Sequence, residues 1–276
     1  GWMNDLEAMT AADVRAFYQR WYVPGNVAVV VAGDVDVAQV RAWAEKYYGN
    51  IPARPVPPRK PREEPQQVGQ RRLDFKAPAE QAYVVMAFKV PGLRSLDVTD
   101  VSQVDALALT LLAGVLDGYA GARLERALAQ GESPVADQVG ASHGLLGRGP
   151  QLFTLSGVPA QGKTTQQLEA GLLAQVQRVA QEGVSEAELS RVKTRWIAAQ
   201  VYKQDALFAQ ARELGSNWVL GLPPDTPTKL LAQLRAVTAA QVQFVAARYF
   251  GPDQMTVATL LPQPLDKARK ARPAAA

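Results

Sequence analysis

Gly157-Val-Pro-Ala-Gln-Gly162-Lys163-Thr164 matches the phosphate-loop pattern G-x-x-x-x-G-K-[ST], in which backbone N–H groups cradle phosphates and the lysine reaches them. It lies between a predicted strand and a predicted helix, as that chemistry requires. Three features count against nucleotide binding. Pro159 removes an N–H from a loop that works by offering them. The preceding strand, QLFTLSG, alternates, whereas a phosphate-loop strand is a near-continuous apolar run. No apolar strand ending in aspartate follows to hold magnesium, and VVVAGD, ending at Asp34, comes earlier in the chain. The plainer reading is a strand–turn–helix connection. His143 is the sequence's one histidine and cysteine is absent, so no His/Cys zinc site can be assembled. A Ser-His-Asp triad would need His143 as its base, and no G-x-S-x-G elbow exists. His143 reads as a strand-end residue, and Asp34 and Asp36 as turn and cap residues. Glu63 and Glu64 read as solvated neighbours of prolines. Trp21, Tyr22, Trp43, Tyr47 and Tyr48 recur at helical spacing and read as core. No residue is assigned a catalytic, substrate-binding or metal role.

The elements that carry these residues include a repeat. MTAADVRAFYQRWYVPGNVAVVVAGD, from Met9, aligns without a gap on VTAAQVQFVAARYFGPDQMTVATLLP, from Val237, at an offset of 228. Thr10/Thr238, Ala11/Ala239, Ala12/Ala240, Val14/Val242, Arg20/Arg248, Pro24/Pro252 and Val29/Val257 are identical, and Trp21/Tyr249 and Tyr22/Phe250 match in kind. Each copy spells a threonine N-cap, an amphipathic helix ending in aromatics, a proline turn and an apolar strand. A repeat of this length points to two related domains. The second copy closes its domain and the first opens almost at Gly1, so the first domain is expected to be truncated.

The pattern predicts helix 11–22, a buried strand 27–33 and helix 37–48 capped by Asp36. Prolines across 52–65 forbid helix or central strand and suggest a semi-rigid linker. Strands are predicted at 70–76, 81–90, 135–143, 151–157 and 254–261. Helices are predicted at 100–117, 121–130, 164–181 and 226–235, with one long helix running from the Ser185/Glu188 capping box toward 214 and another after Thr238. This mixture, without strict βαβ alternation, indicates an α+β fold: repeated domains, each a mainly antiparallel sheet covered by helices. The expected boundaries are 1–51 for the end of the first domain, 52–67 for the linker, 68–262 for a complete second domain and 263–276 for a basic tail.

The 276 residues are 47% hydrophobic, enough for a substantial core. No apolar run reaches the length of about 20 residues that spans a bilayer. The formal charge of +4 is concentrated in the linker (Arg54, Arg59, Lys60, Arg62) and the tail (Lys267, Arg269, Lys270, Arg272). No aromatic-interleaved basic face accompanies it, so nucleic-acid binding is not expected. The lack of cysteine fits an exported, periplasmic bacterial protein.

GWMNDLEAMTAADVRAFYQRWYVPGNVAVVVAGDVDVAQVRAWAEKYYGNIP resembles the end of the first domain of pitrilysin/insulinase-family zinc metallopeptidases, in a bacterial form similar to the mitochondrial processing peptidase. GARLERALA, the box near GVSEAEL, and AVTAAQV followed by YFGPD resemble the family's second domain. The resemblance implies a zinc site of inverted His-x-x-Glu-His plus a distal glutamate, all upstream of the first matched block and none present here. It also implies that a substrate-gripping subunit carries an arginine and a tyrosine. Anchored on Arg123-Leu124, those positions fall at Ala129 and Ala136, so a partner subunit would supply the pair. The parent is then a zinc endopeptidase acting on enclosed peptides as a homo- or heterodimer. This chain, without metal or activity of its own, would provide chamber wall and subunit interface. Two alternatives remain: a non-catalytic scaffold subunit of the same family, and a nucleotide-binding protein using GVPAQGKT.

Overall fold

A computed structural model describes residues 2–61, 63–97 and 99–264. The expected tail residues Lys267, Arg269, Lys270 and Arg272, and the linker's Arg62, lie outside them. In chain order the elements are α1 (Met3–Ala8), α2 (Ala11–Trp21), α3 (Val37–Tyr48), β1 (Arg71–Pro78), β2 (Tyr83–Val90), α4 (Val101–Asp117), β3 (Ala136–His143), β4 (Gln151–Pro159), α5 (Thr165–Glu182), α6 (Glu186–Lys203), α7 (Leu207–Leu220), α8 (Thr226–Ala236), α9 (Ala239–Arg248) and β5 (Met255–Gln263). They divide into two compact units: residues 1–64 with 202–221, and residues 65–201 with 222–276.

The second unit is built on a five-stranded sheet of order β1-β5-β2-β4-β3. β5 runs parallel to β1 and antiparallel to β2, and the remaining pairs are antiparallel. Strand alternation sends Val84, Met86, Phe88 and Val90 to one face, where they are buried with Phe153, Leu155, Met255 and Val257. Helices α4, α5 and α9 cover that face. Phe250 seals it, with its ring 4.9 Å from both Phe88 and Phe153. α4 is buried on most sides because its sequence is apolar on most sides, and Asp100 caps it by accepting from the Ser102 N–H. The other face of the sheet, with Leu73, Phe75, Tyr83, Val85, Ala87 and Ala258, stays partly exposed.

The repeat holds through the capped helix and the turn that follows it. α2 and α9 begin at the same aligned position, each after a threonine capping box: Thr10 with Asp13, Thr238 with Gln241. A single 3₁₀ turn follows in both, Pro24–Asn26 and Pro252–Gln254. The copies then part. Residues 255–263 form β5, but residues 27–33 form no strand, and Val27, Val29 and Val31 are exposed. Helices and turns close on hydrogen bonds to near neighbours in sequence, whereas a strand needs a partner strand, and the first unit offers none among the described residues. The expected core stripe fails with it: Tyr22, Trp43, Tyr47 and Tyr48 are exposed and Trp21 is half-buried. The expected long helix from 186 is also corrected. It breaks at Gln204–Ala206, where Asp205 N and Ala206 N turn back onto the Tyr202 and Lys203 carbonyls. Residues 121–130 hold only a short helix that ends in a π turn at Glu125–Ala129.

Candidate functional site

GVPAQGKT is divided between two elements. Gly157, Val158 and Pro159 belong to β4, antiparallel to both its neighbours, and Gly157 pairs with Val84 and Val139. Only 160–163 form the turn, which carries Gly162 at φ +77° and closes by Lys163 N–H donating to the Ala160 carbonyl. Thr164 and Gln167 cap α5 reciprocally: the Gln167 N–H donates to Thr164 Oγ1 at 3.1 Å, and the Thr164 N–H donates to Gln167 Oε1 at 2.8 Å. A phosphate cradle needs a run of N–H groups free of such partners. Here the N–H groups of Ala160, Lys163, Thr164 and Gln167 are already paired, with the Val135 and Ala160 carbonyls and within the capping box.

His143 ends β3 as read from sequence. Its Nε2 lies 3.0 Å from the Pro91 carbonyl and its Nδ1 2.9 Å from the Thr110 hydroxyl. A carbonyl only accepts, so Nε2 carries the proton and Nδ1 faces the hydroxyl. Burial holds the ring's pKa below the ordinary histidine value. Both nitrogens are engaged, so neither faces an open site. Asp36 accepts from the Gln39 N–H at 2.9 Å as the cap of α3, and Asp34, Glu63 and Glu64 lie exposed outside regular structure.

Zinc needs three converging His, Cys or carboxylate ligands at a catalytic site. The described residues contain no such group of three, and His143 is committed elsewhere. The described residues therefore do not fit zinc.

The strongest polar cluster lies at GARLERALA. Arg123 forks onto Glu188, Nε to Oε1 and Nη2 to Oε2, both at 2.9 Å, and also donates to the Gly183 carbonyl. Glu188 at the same time accepts from Ser185 at the start of α6, and Arg123 holds its carboxyl down to about 2. With Arg126, Gln175, Arg178 and Glu182 the pair lines an open cavity of about 400 Å³. The sequence marks Glu188 as a capping residue, and nothing local marks its pairing with Arg123 across the fold. Ala129 ends the π turn and Ala136 is buried at the start of β3, so neither presents a polar group.

The model of the peptidase M16 inactive domain matches residues 8–195. The chain belongs to this family. As the sequence resemblance implied, it is a pitrilysin-like M16 chain, and the matched region is of the inactive type. It is 24% identical over 272 residues to the zinc protease PqqE of Helicobacter pylori, covering 95% of this chain and 57% of that protein. The chain thus spans little more than half the length of this relative. A protease structure from Helicobacter pylori superposes with a TM-score of 0.83 at 21% identity, over 95% of this chain and 62% of the other. The periplasmic protease PqqL of Escherichia coli gives a TM-score of 0.71 at 20% identity, over 97% of this chain and 31% of the other. At these identities the superpositions establish the M16 fold, with its mixed sheet and helical cover.

Proposed function

We propose that this M16 chain is the non-catalytic wall of a zinc metallopeptidase that hydrolyses enclosed peptides. The observation that carries this reading is the one-sided sheet of the second unit. α4, α5 and α9 cover one face, and the other bears partly exposed Leu73, Phe75, Tyr83 and Val85, with no metal-capable group among the described residues. Such a face suits contact with extended peptide more than chemistry. That relatives of this chain are zinc proteases supports a zinc-dependent peptidase activity for the parent protein. Residues 1–51 are then the end of a first peptidase-like domain, 52–67 a linker, and 68–262 a second domain. A partner subunit provides the arginine and tyrosine that Ala129 and Ala136 do not. An exported, periplasmic location agrees with that of the periplasmic protease PqqL of Escherichia coli and with the lack of cysteine.

The test is metal analysis of the parent protein together with chelator-sensitive cleavage of an unfolded peptide. Stoichiometric zinc with cleavage supports the reading. A parent without zinc, inert with any partner, supports the scaffold alternative instead.

A further inference from the structure

The cavity of about 400 Å³ beside GARLERALA holds more positive charge than its carboxylates use. Arg123, Arg126 and Arg178 line it against Glu182 and Glu188. Arg123 and Glu188 cancel each other. Their fork closes at 2.9 Å on both oxygens, and Ser185 donates twice more to Glu188 Oε2, from its N–H and its hydroxyl. Arg126 therefore comes no nearer to Glu188 than 3.9 Å, beyond hydrogen-bond distance, and Arg178 stands equally far from Glu182. Pairs this long between exposed guanidinium groups and carboxylates contribute little, so Arg126 and Arg178 keep their donors for water or a ligand. Gln175 is an independent sign of a ligand. It is only 7% exposed, yet its amide has no hydrogen-bond partner among the described residues, and what remains exposed of it opens into this cavity. Buried polar groups are normally paired, and a bound acceptor would pair this one.

We propose that this cavity is a binding site for a compact oxyanion, a phosphate or a carboxylate, held between Arg126 and Arg178 with the Gln175 amide donating from the floor. A guanidinium fork matches two oxygens of either group, and the Gln175 amide adds neutral donors. A cation does not fit, because Arg123 already neutralises Glu188 and the three arginines outnumber the two glutamates by one. An apolar ligand does not fit either, because Ala127 is the one apolar residue in the lining. The cavity lies on the helical side of the sheet. Leu172, Val176 and Val179 turn another face of α5 into the core with Phe88 and Phe153, so the sheet stands between this cavity and the face proposed to meet peptide. The ligand is therefore a free small anion and not a terminus of the enclosed substrate. Bound there, it ties the short helix at 123–129 to α5, two elements that contribute Arg126 on one side and Gln175 and Arg178 on the other.

Nuclear magnetic resonance on the nitrogen-15-labelled chain tests the proposal. Sodium phosphate and sodium acetate are titrated separately at constant ionic strength, with sodium chloride as the reference. The expected result is a saturable shift of the side-chain N–H signals of Arg126, Arg178 and Gln175 with at least one of the two oxyanions. The one that saturates at lower concentration tells a phosphate seat from a carboxylate seat. Arg126→Ala and Arg178→Ala remove side chains that are more than half exposed, so the backbone amide spectrum should stay folded. Each should weaken binding about 10-fold, the worth of a charge-assisted hydrogen bond. Shifts that match those in chloride would overturn the proposal, since they would report screening alone. So would saturable binding that both variants keep in full, because the anion would then sit elsewhere. The measurement needs no peptidase activity, so its outcome is independent of the metallopeptidase reading.

Discussion

Tyr249 carries its hydroxyl into the second unit and donates to Asp105 Oδ2 at 2.5 Å, beside a carboxylate that is only 5% exposed. Burial, then Asp105 itself, holds the phenol pKa well above its ordinary value. Tyr249→Phe leaves that carboxylate without its donor and should cost about 1–3 kcal/mol in urea denaturation. A loss indistinguishable from zero would show that Asp105 finds another partner. His143 sets a pH dependence. Its folded pKa is depressed by burial, so the unfolded chain binds the proton more readily. Its contribution is complete above the ordinary histidine pKa of about 6.5 and declines as the pH falls below it. Denaturation midpoints should drop on acidification from pH 7.5 to 5.5, and His143→Gln should flatten that part of the curve. An unchanged slope in the variant would assign the effect elsewhere.

Among the elements, Gly157 has a packing reason to be glycine. A Cβ there would stand 2.7 Å from the Gln138 carbonyl oxygen and 3.0 Å from Leu168 Cδ2. Gly157→Ala should therefore destabilise the β3–β4 pair by about 1–3 kcal/mol, read by thermal denaturation. ATP with magnesium should show no saturable binding at millimolar concentration, and binding abolished by Lys163→Ala would restore the phosphate-loop reading. Much of the second unit was legible because its signals are local or periodic. Asp100, Thr164, Ser185 and Thr238 announce helix starts, and alternation around Met86 and Phe153 announces strands. What escaped depends on distant partners. The break at Gln204–Ala206 follows no proline or glycine, and Arg123 meets Glu188 only through the fold. VAVVVAG has the composition of a buried strand, yet no composition supplies the neighbours that would make it one.

For the whole molecule, the chain alone should be proteolytically inert. Cleavage of a labelled unfolded peptide that disappears with chelator would contradict this, since the described residues hold no group fit for a metal. The candidate site was legible mainly by exclusion: one histidine, no cysteine and no elbow leave little chemistry to place. The position of β5 has a consequence for how the second unit is made. Its last strand is not at the edge of the sheet but between the first two, so β1 has no strand partner until residues 255–263 have been synthesised. During translation, β2, β3 and β4 can assemble early while the apolar edge of β2 waits open through α5 to α9. Closing a loop of that span is slow and leaves a sticky intermediate. Production of this unit should therefore be governed by ribosome transit and chaperone holding over its final third, and a nascent chain stalled before Met255 should be a substrate for quality control rather than a slower folder.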